Sequence, residues 1–229
     1  VAHRFVPALE RVCTNARAVR CIQGGIDFGR LAPRTDRASV RAALETPDDA
    51  DVALFAGRLS VEKRVDRLLR AFANGIARRP DAVLWIAGGG ALADELRRLA
   101  DDLGIAPRVR FLGVRSDVAD LIGACDLVAL SSDTEGVPGV AQEAAAHGRA
   151  VVATRAGATE ASVIDGSTGL LVAVTDELGL SRALYDLLAD RERREAMGAE
   201  AERTFGGGRL SIDSVAAAYE DLYREALAG

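Results

Sequence analysis

The feature that most constrains the fold is an alternation of short apolar runs and segments of helical period, which begins at residue 51. Six runs are typical of strands because they are rich in β-branched residues and leucine: DVALFAGRL, AVLWIAGGG, RVRFLGV, DLVALSS, AVVATRAG and GLLVAV. Between them lie stretches such as ALADELRRLADDLG, in which leucine recurs every three or four residues. Strands that are apolar on both faces indicate a parallel sheet covered by helices. The sequence therefore predicts an α/β fold with a Rossmann-like, doubly wound parallel sheet, followed after Glu177 by two helical stretches separated by FGGGRLS.

Composition excludes several classes of protein. The 229 residues are 49% hydrophobic, which is enough for a globular core, and a net charge of −5 with scattered arginines offers no basic face to a nucleic acid. We therefore expect no nucleic-acid partner. No apolar run approaches the ~20 residues that cross a bilayer, so we expect a soluble, cytoplasmic chain. The cysteines and histidines lack metal-site spacing, and the acidic run at 48–51 precedes a strand, where we interpret it as a solvated strand start.

The loops that follow the strands are where a doubly wound sheet binds ligands. Arg58 follows Gly57 at the end of the first strand, and Lys63 comes five residues later. An arginine and a lysine at this place could bind a diphosphate, although a solvated loop explains the same residues equally well. The segment Gly88–Ala93 satisfies the G-x-G-x-x-A pattern of dinucleotide sites, but a tight turn that needs positive φ is the favoured interpretation.

The stretch TEGVPGVAQEAAAHG, at 134–148, follows the fourth strand and carries two carboxylates, Glu135 and Glu143. Pro138 suits the first turn of a helix, so the free backbone amides from Gly136 to Val140 would favour an anion. Carboxylates in the same cleft would accept hydrogen bonds from the paired hydroxyls of sugars. The alternative, that both glutamates only complement the helix dipole, remains equally open from these residues.

These motifs occur together and in order over residues 50 to 205. The sequences FAGRLSVEKRVDRLLRAF, VRFLGV and CDLVALSSDTEGVPGVAQEAAAHGRAVVATRAGATEASVIDGSTGLLV resemble the C-terminal domain of a family 4 retaining glycosyltransferase of the GT-B fold. The E-x7-E pair of that family is matched by Glu135 and Glu143. We therefore expect an enzyme of this class, a hexosyltransferase-like retaining transferase that uses a UDP- or GDP-sugar and needs no metal or other cofactor.

The resemblance implies a role for each site residue. Arg58 and Lys63 match the basic pair that binds the donor diphosphate and stabilises the departing charge, and Glu135 matches the glutamate that orients the transferred sugar. Glu143 matches the ligand of the ribose hydroxyls. The remaining donor-binding residues implied are Gly57, Gly113, Val114, Gly136, Val137, Pro138, Gly139 and Val140, of which Val114 and its neighbours line the base.

The resemblance also implies a domain division. Residues 1–30 match a remnant and connector from an acceptor-binding domain, 31–205 the Rossmann-like donor domain, and 206–229 a helix that crosses back to the acceptor domain. That N-terminal acceptor domain would then act in cis or in trans, on an unknown glycan, lipid-linked or small-molecule acceptor, and the parent enzyme could associate peripherally with a membrane. Two other hypotheses stay open: a non-catalytic nucleotide-sugar-binding module or one part of a split enzyme, and an NAD-dependent oxidoreductase based on Gly88–Ala93.

Overall fold

All six predicted strands form, and they assemble into one parallel sheet. The computed structural model describes residues 27, 31–75, 78–206 and 211–228. The strands are β1 Val52–Ala56, β2 Val83–Ala87, β3 Val109–Gly113, β4 Leu127–Leu130, β5 Ala150–Thr154 and β6 Gly169–Val172. Their order across the sheet is β3-β2-β1-β4-β5-β6, and every neighbouring pair is parallel. This is the order of the doubly wound nucleotide-binding fold, which confirms the predicted fold class.

Helices cover the sheet and bury its apolar strands. They are α1 Arg37–Ala43, α2 Val65–Gly75, α3 Ala93–Asp102, α4 Val118–Ala124, α5 Gly139–Ala146, α6 Glu177–Ala189, α7 Arg191–Ala201 and α8 Ile212–Ala228. Helix α2 packs against α3 and α6, α1 packs against α4, and α5 packs against α4 and α7. Every residue of β1, β2, β4 and β5 is buried, which explains why these strands have continuous apolar runs. Trp85 and Phe55 are among the largest side chains in this core.

The predicted first helical stretch after Glu177 is two helices rather than one. Asp190 has φ −105° and ψ 85°, which ends α6, and its carboxylate accepts a hydrogen bond from the Arg193 amide to cap α7. The second stretch forms α8, whose Tyr219, Tyr223 and Leu227 side chains are exposed. Among the described residues, no helix combines the length and the apolar character that crossing a bilayer requires. The proposed connector and remnant at 1–30 lie outside the described residues, except for Asp27.

Gly88 ties the ends of three strands together. Its φ is +148°, its amide donates to the Gly113 carbonyl, and a Cβ at this position would lie 1.8 Å from the Gly57 carbonyl oxygen. A side chain cannot be accommodated there, because the backbone conformation and the close contact both require glycine. The interpretation of Gly88–Ala93 as a tight turn is therefore confirmed for Gly88.

The amino edge of the sheet carries a buried charge network that the sequence did not indicate. Arg41 is fully buried on α1, and its guanidinium Nη2 lies 2.8 Å from Oδ2 of Asp126, the residue before β4. Asp51, the residue before β1, pairs with Arg79 and Arg194. Only 13% of the Asp51 side chain is exposed, so the expectation of a solvated strand start is wrong for this residue. Arg41 and Arg194 are the buried arginines of this network, and both have carboxylate partners, because an unpaired charge would be costly to bury.

Candidate functional site

The predicted site residues lie at the topological switch point of the sheet. Strands β1 and β4 are neighbours, yet the chain runs outward from β1 through β2 and β3 and outward from β4 through β5 and β6. The loops that leave the carboxyl ends of two such strands diverge, which opens a crevice between them. Arg58 comes from the loop after β1, and Glu135 comes from the loop after β4.

Two cavities open in this crevice, and they share a wall. The first, of about 480 Å³, is lined by Val114, Arg115 and Glu143 among others. The second, of about 500 Å³, is lined by Lys63, Glu135 and the residues from Gly136 to Val140. Both are bounded by Ala56, Gly57, Arg58 and Val140. The exposed Arg58 therefore lies at the junction of two compartments, each of which contains one of the two predicted carboxylates.

Lys63 and Glu135 form an ion pair within the second cavity. The Lys63 Nζ lies 2.7 Å from Oε1 and 2.8 Å from Oε2 of Glu135, and the Ser132 hydroxyl donates to Oε1 at 2.6 Å. The Glu135 side chain is 7% exposed and that of Lys63 is 26% exposed. Lys63 belongs to a 3₁₀ turn, Val61–Lys63, that precedes α2. The two residues of this pair are 72 positions apart in the sequence.

A network of polar side chains fixes this turn against the loop after β4. The Ser131 hydroxyl lies 2.9 Å from the Lys63 carbonyl oxygen and 2.8 Å from that of Arg64. From α2, the buried Arg67 donates to the Ser131 carbonyl oxygen at 2.8 Å and to Asp133 Oδ1 at 2.6 Å. The backbone of Lys63 is thereby held in place, and the freedom that remains at this residue is in its side chain.

Arg64 has a left-handed backbone conformation, with φ 49° and ψ 43°, and its guanidinium pairs with Asp66 and Asp133. The conformation costs a non-glycine residue about 1 kcal/mol, and partly exposed ion pairs each return less than about 1 kcal/mol. Arg64→Ala keeps the strain and loses the pairs, whereas Arg64→Gly loses the pairs and relieves the strain. We expect urea unfolding to show the glycine variant to be the more stable of the two by about 1 kcal/mol; equal stability would contradict the argument.

The N-terminus of α5 faces the second cavity with free amides. The amides of Gly136, Val137, Gly139 and Val140 donate to no other described residue, and Pro138, the N-cap, has no amide hydrogen. A Cβ on Gly136 or Gly139 would meet nothing within 4 Å, so a ligand can approach the backbone closely there. This end of the helix offers hydrogen-bond donors and positive potential to an anion, as predicted.

Glu143 lies in the middle of α5 and faces the first cavity. Burial raises the pKa of Glu143, and the nearby charge of His147 opposes this effect. No described residue donates a hydrogen bond to the carboxylate of Glu143. Neither glutamate is in the first turn of α5, so complementing the helix dipole does not explain their positions. A half-buried carboxylate without a protein donor is suited to accept hydrogen bonds from ligand hydroxyls.

The structure brings together all the predicted site residues except one. Gly113 is not among the residues that line either cavity; it has φ +66° and accepts a hydrogen bond from Gly88. Sequence reasoning missed Ser132, which bonds to Glu135, and Arg115, which lines the first cavity and pairs with Asp117. Ser132 is the last residue of one predicted strand run and Arg115 directly follows another, and this position at a strand end is the signal that could have indicated them.

Comparison with known proteins agrees with this arrangement. A doubly wound sheet with cations, carboxylates and a free helix N-terminus at its switch point defines a Rossmann-like ligand-binding domain. The chain belongs to the family described as glycosyl transferases group 1, whose model matches residues 36–204. The resemblance to the C-terminal domain of a GT-B glycosyltransferase is thus confirmed.

Individual relatives show how much of a whole protein this chain represents. It is 34% identical over 206 residues to the lipopolysaccharide core biosynthesis glycosyltransferase LpsE of Rhizobium meliloti, covering 90% of this chain and 58% of that protein. It is 39% identical over 214 residues to the D-inositol 3-phosphate glycosyltransferase of Corynebacterium kroppenstedtii, covering 89% and 47%. The chain therefore spans about half the length of the curated relatives it matches.

A solved structure matches the fold closely. The crystal structure of Anabaena Alr3699/HepE in complex with UDP superimposes with a TM-score of 0.84 at 25% sequence identity, over 92% of this chain and 58% of that chain. The predicted fold class is therefore supported both by the strand topology and by a solved structure.

Proposed function

We propose that this chain is the donor half of a retaining glycosyltransferase, which binds a nucleotide-diphosphate sugar and presents it to an acceptor hydroxyl. The observation that carries the proposal is the pair of cavities that meet at Arg58, with Glu143 in one and Glu135 in the other. A nucleotide-sugar has the same order of parts: a nucleoside, a doubly charged diphosphate and a sugar. The UDP bound by the Anabaena protein is consistent with this assignment.

The nucleoside fits the first cavity. The Val114 side chain is 85% exposed and offers an apolar surface to one face of a base, while Glu143 accepts hydrogen bonds from the two ribose hydroxyls. Uracil and guanine both suit an apolar platform of this kind, so a UDP-sugar and a GDP-sugar are equally compatible donors.

The diphosphate and the sugar fit the junction and the second cavity. Arg58 offers a planar fork of donors, Lys63 a point charge, and the α5 amides a ring of N–H groups. On transfer, the bond from the anomeric carbon to the diphosphate oxygen breaks and its electron pair stays with the diphosphate. Cations that lie beside this oxygen once the donor is bound stabilise the new charge, which is the type of contribution that usually dominates catalysis. They supply the role that a metal ion plays elsewhere, so we propose that transfer is metal-independent.

Glu135 acts as an orienting group for the transferred sugar rather than as a nucleophile. Both of its oxygens contact the Lys63 ammonium, and Oε1 also accepts from Ser132. A carboxylate held in this way is an acceptor for sugar hydroxyls, and its charge is too well stabilised for attack on carbon. Retention then follows when the acceptor oxygen bonds to the anomeric carbon from the face that the diphosphate leaves, and its proton passes to the diphosphate or to a base on the acceptor side.

The acceptor side of the enzyme is a further part of the proposal. Because this chain spans about half the length of its relatives, we propose that an acceptor-binding domain, in cis or in trans, completes the cleft. Turnover by the 229-residue chain alone is then expected to be low. A chain that bound nucleotide-sugar but stayed inactive with every acceptor domain would instead be a binding module.

Titration calorimetry with UDP, GDP, ADP and NAD tests the donor site directly. We expect one nucleoside diphosphate to bind, and Arg58→Ala to weaken it about 10- to 100-fold, because charge-assisted hydrogen bonds to phosphate are lost. The matched control is Arg98→Ala, which removes an equally charged, exposed arginine on α3 outside the crevice. Absence of diphosphate binding at low salt, or preferential binding of NAD, would overturn the proposal.

A further inference from the structure

We propose that Ser132 is a positioning residue, which holds the Glu135 carboxylate toward the donor sugar once Lys63 has turned to the diphosphate. The inference rests on the proposed function, and it concerns a residue outside the set of cations, glutamates and amides described above. Ser132 is fully buried in the loop after β4, and its hydroxyl donates to Glu135 Oε1 at 2.6 Å. A bond of this length from a hydroxyl to a charged carboxylate is a strong one.

Ser132 is needed because Lys63 has two possible anionic partners, the Glu135 carboxylate and the donor diphosphate. Without ligand, the Lys63 ammonium bridges both oxygens of Glu135, at 2.7 and 2.8 Å. The diphosphate site lies beside it, since Lys63, Arg58 and the α5 amides line one cavity. A diphosphate carries about two negative charges, so it will draw the ammonium away from the single charge of Glu135.

Glu135 would then lose its main partner while it remains buried. Its side chain is 7% exposed, and a buried carboxylate that lacks hydrogen-bond donors is strongly disfavoured. Ser132 supplies the donor that stays, because its hydroxyl is bonded to Oε1 independently of the Lys63 ammonium. Oε1 remains bonded to Ser132, and Oε2 becomes the oxygen that is free to accept a hydrogen bond from a sugar hydroxyl. The serine therefore determines which carboxylate oxygen faces the ligand.

The surroundings of Ser132 suit a fixed support. The Thr154 hydroxyl, at the end of β5, donates to the Ser132 carbonyl oxygen at 2.6 Å. The backbone of Glu135 is held separately, since its carbonyl oxygen accepts from the Ala158 amide at 3.0 Å. Gly157, with φ +52°, permits this approach, because a Cβ there would lie 2.1 Å from the same oxygen. Both ends of the Ser132–Glu135 bond are thus held by contacts to β5 and to the loop after it, which do not involve the Lys63 side chain.

The test compares a nucleoside diphosphate with its sugar conjugate on the same variants. Calorimetry gives the ratio of the dissociation constant of UDP-glucose to that of UDP, and likewise for GDP-mannose and GDP. We expect Ser132→Ala to leave the free diphosphate within about twofold of wild type, because water then occupies the sugar site and donates to Glu135 in place of the serine. The sugar conjugate displaces that water, so the ratio should rise about tenfold, the loss expected for a hydrogen bond to a charged group. Ser132→Thr keeps a hydroxyl on the same Cβ and should restore the ratio, whatever its effect on Tm.

Ser131→Ala is the matched control, because Ser131 is an equally buried neighbour whose hydroxyl contacts the backbone of Lys63 and Arg64 and not Glu135. We expect it to lower the affinity for both ligands by the same factor and to leave the ratio unchanged. A ratio that is unchanged in Ser132→Ala, or equal losses for both ligands, would overturn the role of Ser132 while leaving donor binding intact. A wild-type chain that binds neither diphosphate would overturn the proposed function and this inference with it.

Discussion

Asp126→Ala is expected to be the most destabilising single substitution among the charged residues of the described chain, with a loss of about 3–5 kcal/mol in the free energy of unfolding. Asp126 lies at the amino edge of the sheet, where its oxygens accept hydrogen bonds from Arg37, Arg41 and the Val52 amide at 2.7–2.8 Å. Since small domains have total stabilities of about 5–15 kcal/mol, this variant will be close to unfolding at 37 °C. Urea unfolding followed by circular dichroism measures the difference.

The expected size follows from what the substitution leaves behind. Arg41 is 0% exposed, and its remaining hydrogen bonds go to the carbonyl oxygens of Pro47, Asp48, Ala50 and Ala124. Carbonyl dipoles do not neutralise a full positive charge, and burial already lowers the pKa of Arg41. Removing one partner of a buried pair costs far more than the pair itself contributes, because the other charge is left uncompensated.

An exposed ion pair provides the control. Asp186 pairs with Arg78 at 2.6 Å, with both side chains about half exposed, so Asp186→Ala should cost less than about 1 kcal/mol. Similar losses for both variants would show that burial does not determine the effect.

Burial raises the pKa of Asp126, but the Val52 amide and the two arginines outweigh it and the net pKa is lowered. Its contribution is therefore present above the unfolded value of about 3.9 and is lost as the pH falls through the lower folded pKa.

The sequence predicted the sheet well because its information is local. Each buried parallel strand requires apolar residues on both faces, so the six runs were visible one at a time. The right-handed crossover rule then limited the topology, and the switch point located the functional loops. The break at Asp190 was missed for a related reason, since helical periodicity continues on both sides of one residue with non-helical ψ.

The pairings between distant residues could not be predicted in the same way. Arg41 and Asp126 are 85 positions apart, and Lys63 and Glu135 are 72 apart, so neither contact leaves a periodic signal in the sequence. The sequence could show only that charged residues follow the ends of strands. This places Arg58, Lys63 and Glu135 in one crevice, but it does not predict which of them pair with each other. The role of Ser132 depends on a side-chain rotamer, which only tertiary packing determines.

Glu143→Gln is expected to weaken nucleotide binding without lowering the stability of the fold. The substitution keeps the shape of the side chain and removes a charge that burial disfavours, so we expect the variant to be as stable as wild type or more stable at pH 8. The same change removes the charge that makes both oxygens acceptors for ribose hydroxyls, and it should weaken nucleoside diphosphate binding about 10- to 100-fold. Thermal unfolding with and without UDP or GDP measures both effects on one instrument.

The dependence on pH distinguishes this explanation from a simple loss of contacts. The folded pKa of Glu143 is above its unfolded value, so the charge destabilises the folded chain at high pH, and this penalty disappears as the pH falls through the folded pKa. The advantage of the glutamine variant should therefore be largest at pH 8 and absent below about pH 4, while wild-type affinity for the nucleotide declines as Glu143 becomes protonated.

Glu95→Gln, at an exposed position on α3, should change neither property by more than about 0.5 kcal/mol. A glutamine variant that was less stable than wild type at pH 8 would contradict the claim that burial of the Glu143 charge destabilises the chain. A variant that bound the nucleotide as well as wild type would contradict the claim that this charge binds the ribose. The expected outcome would identify Glu143 as a residue retained for binding at the expense of stability.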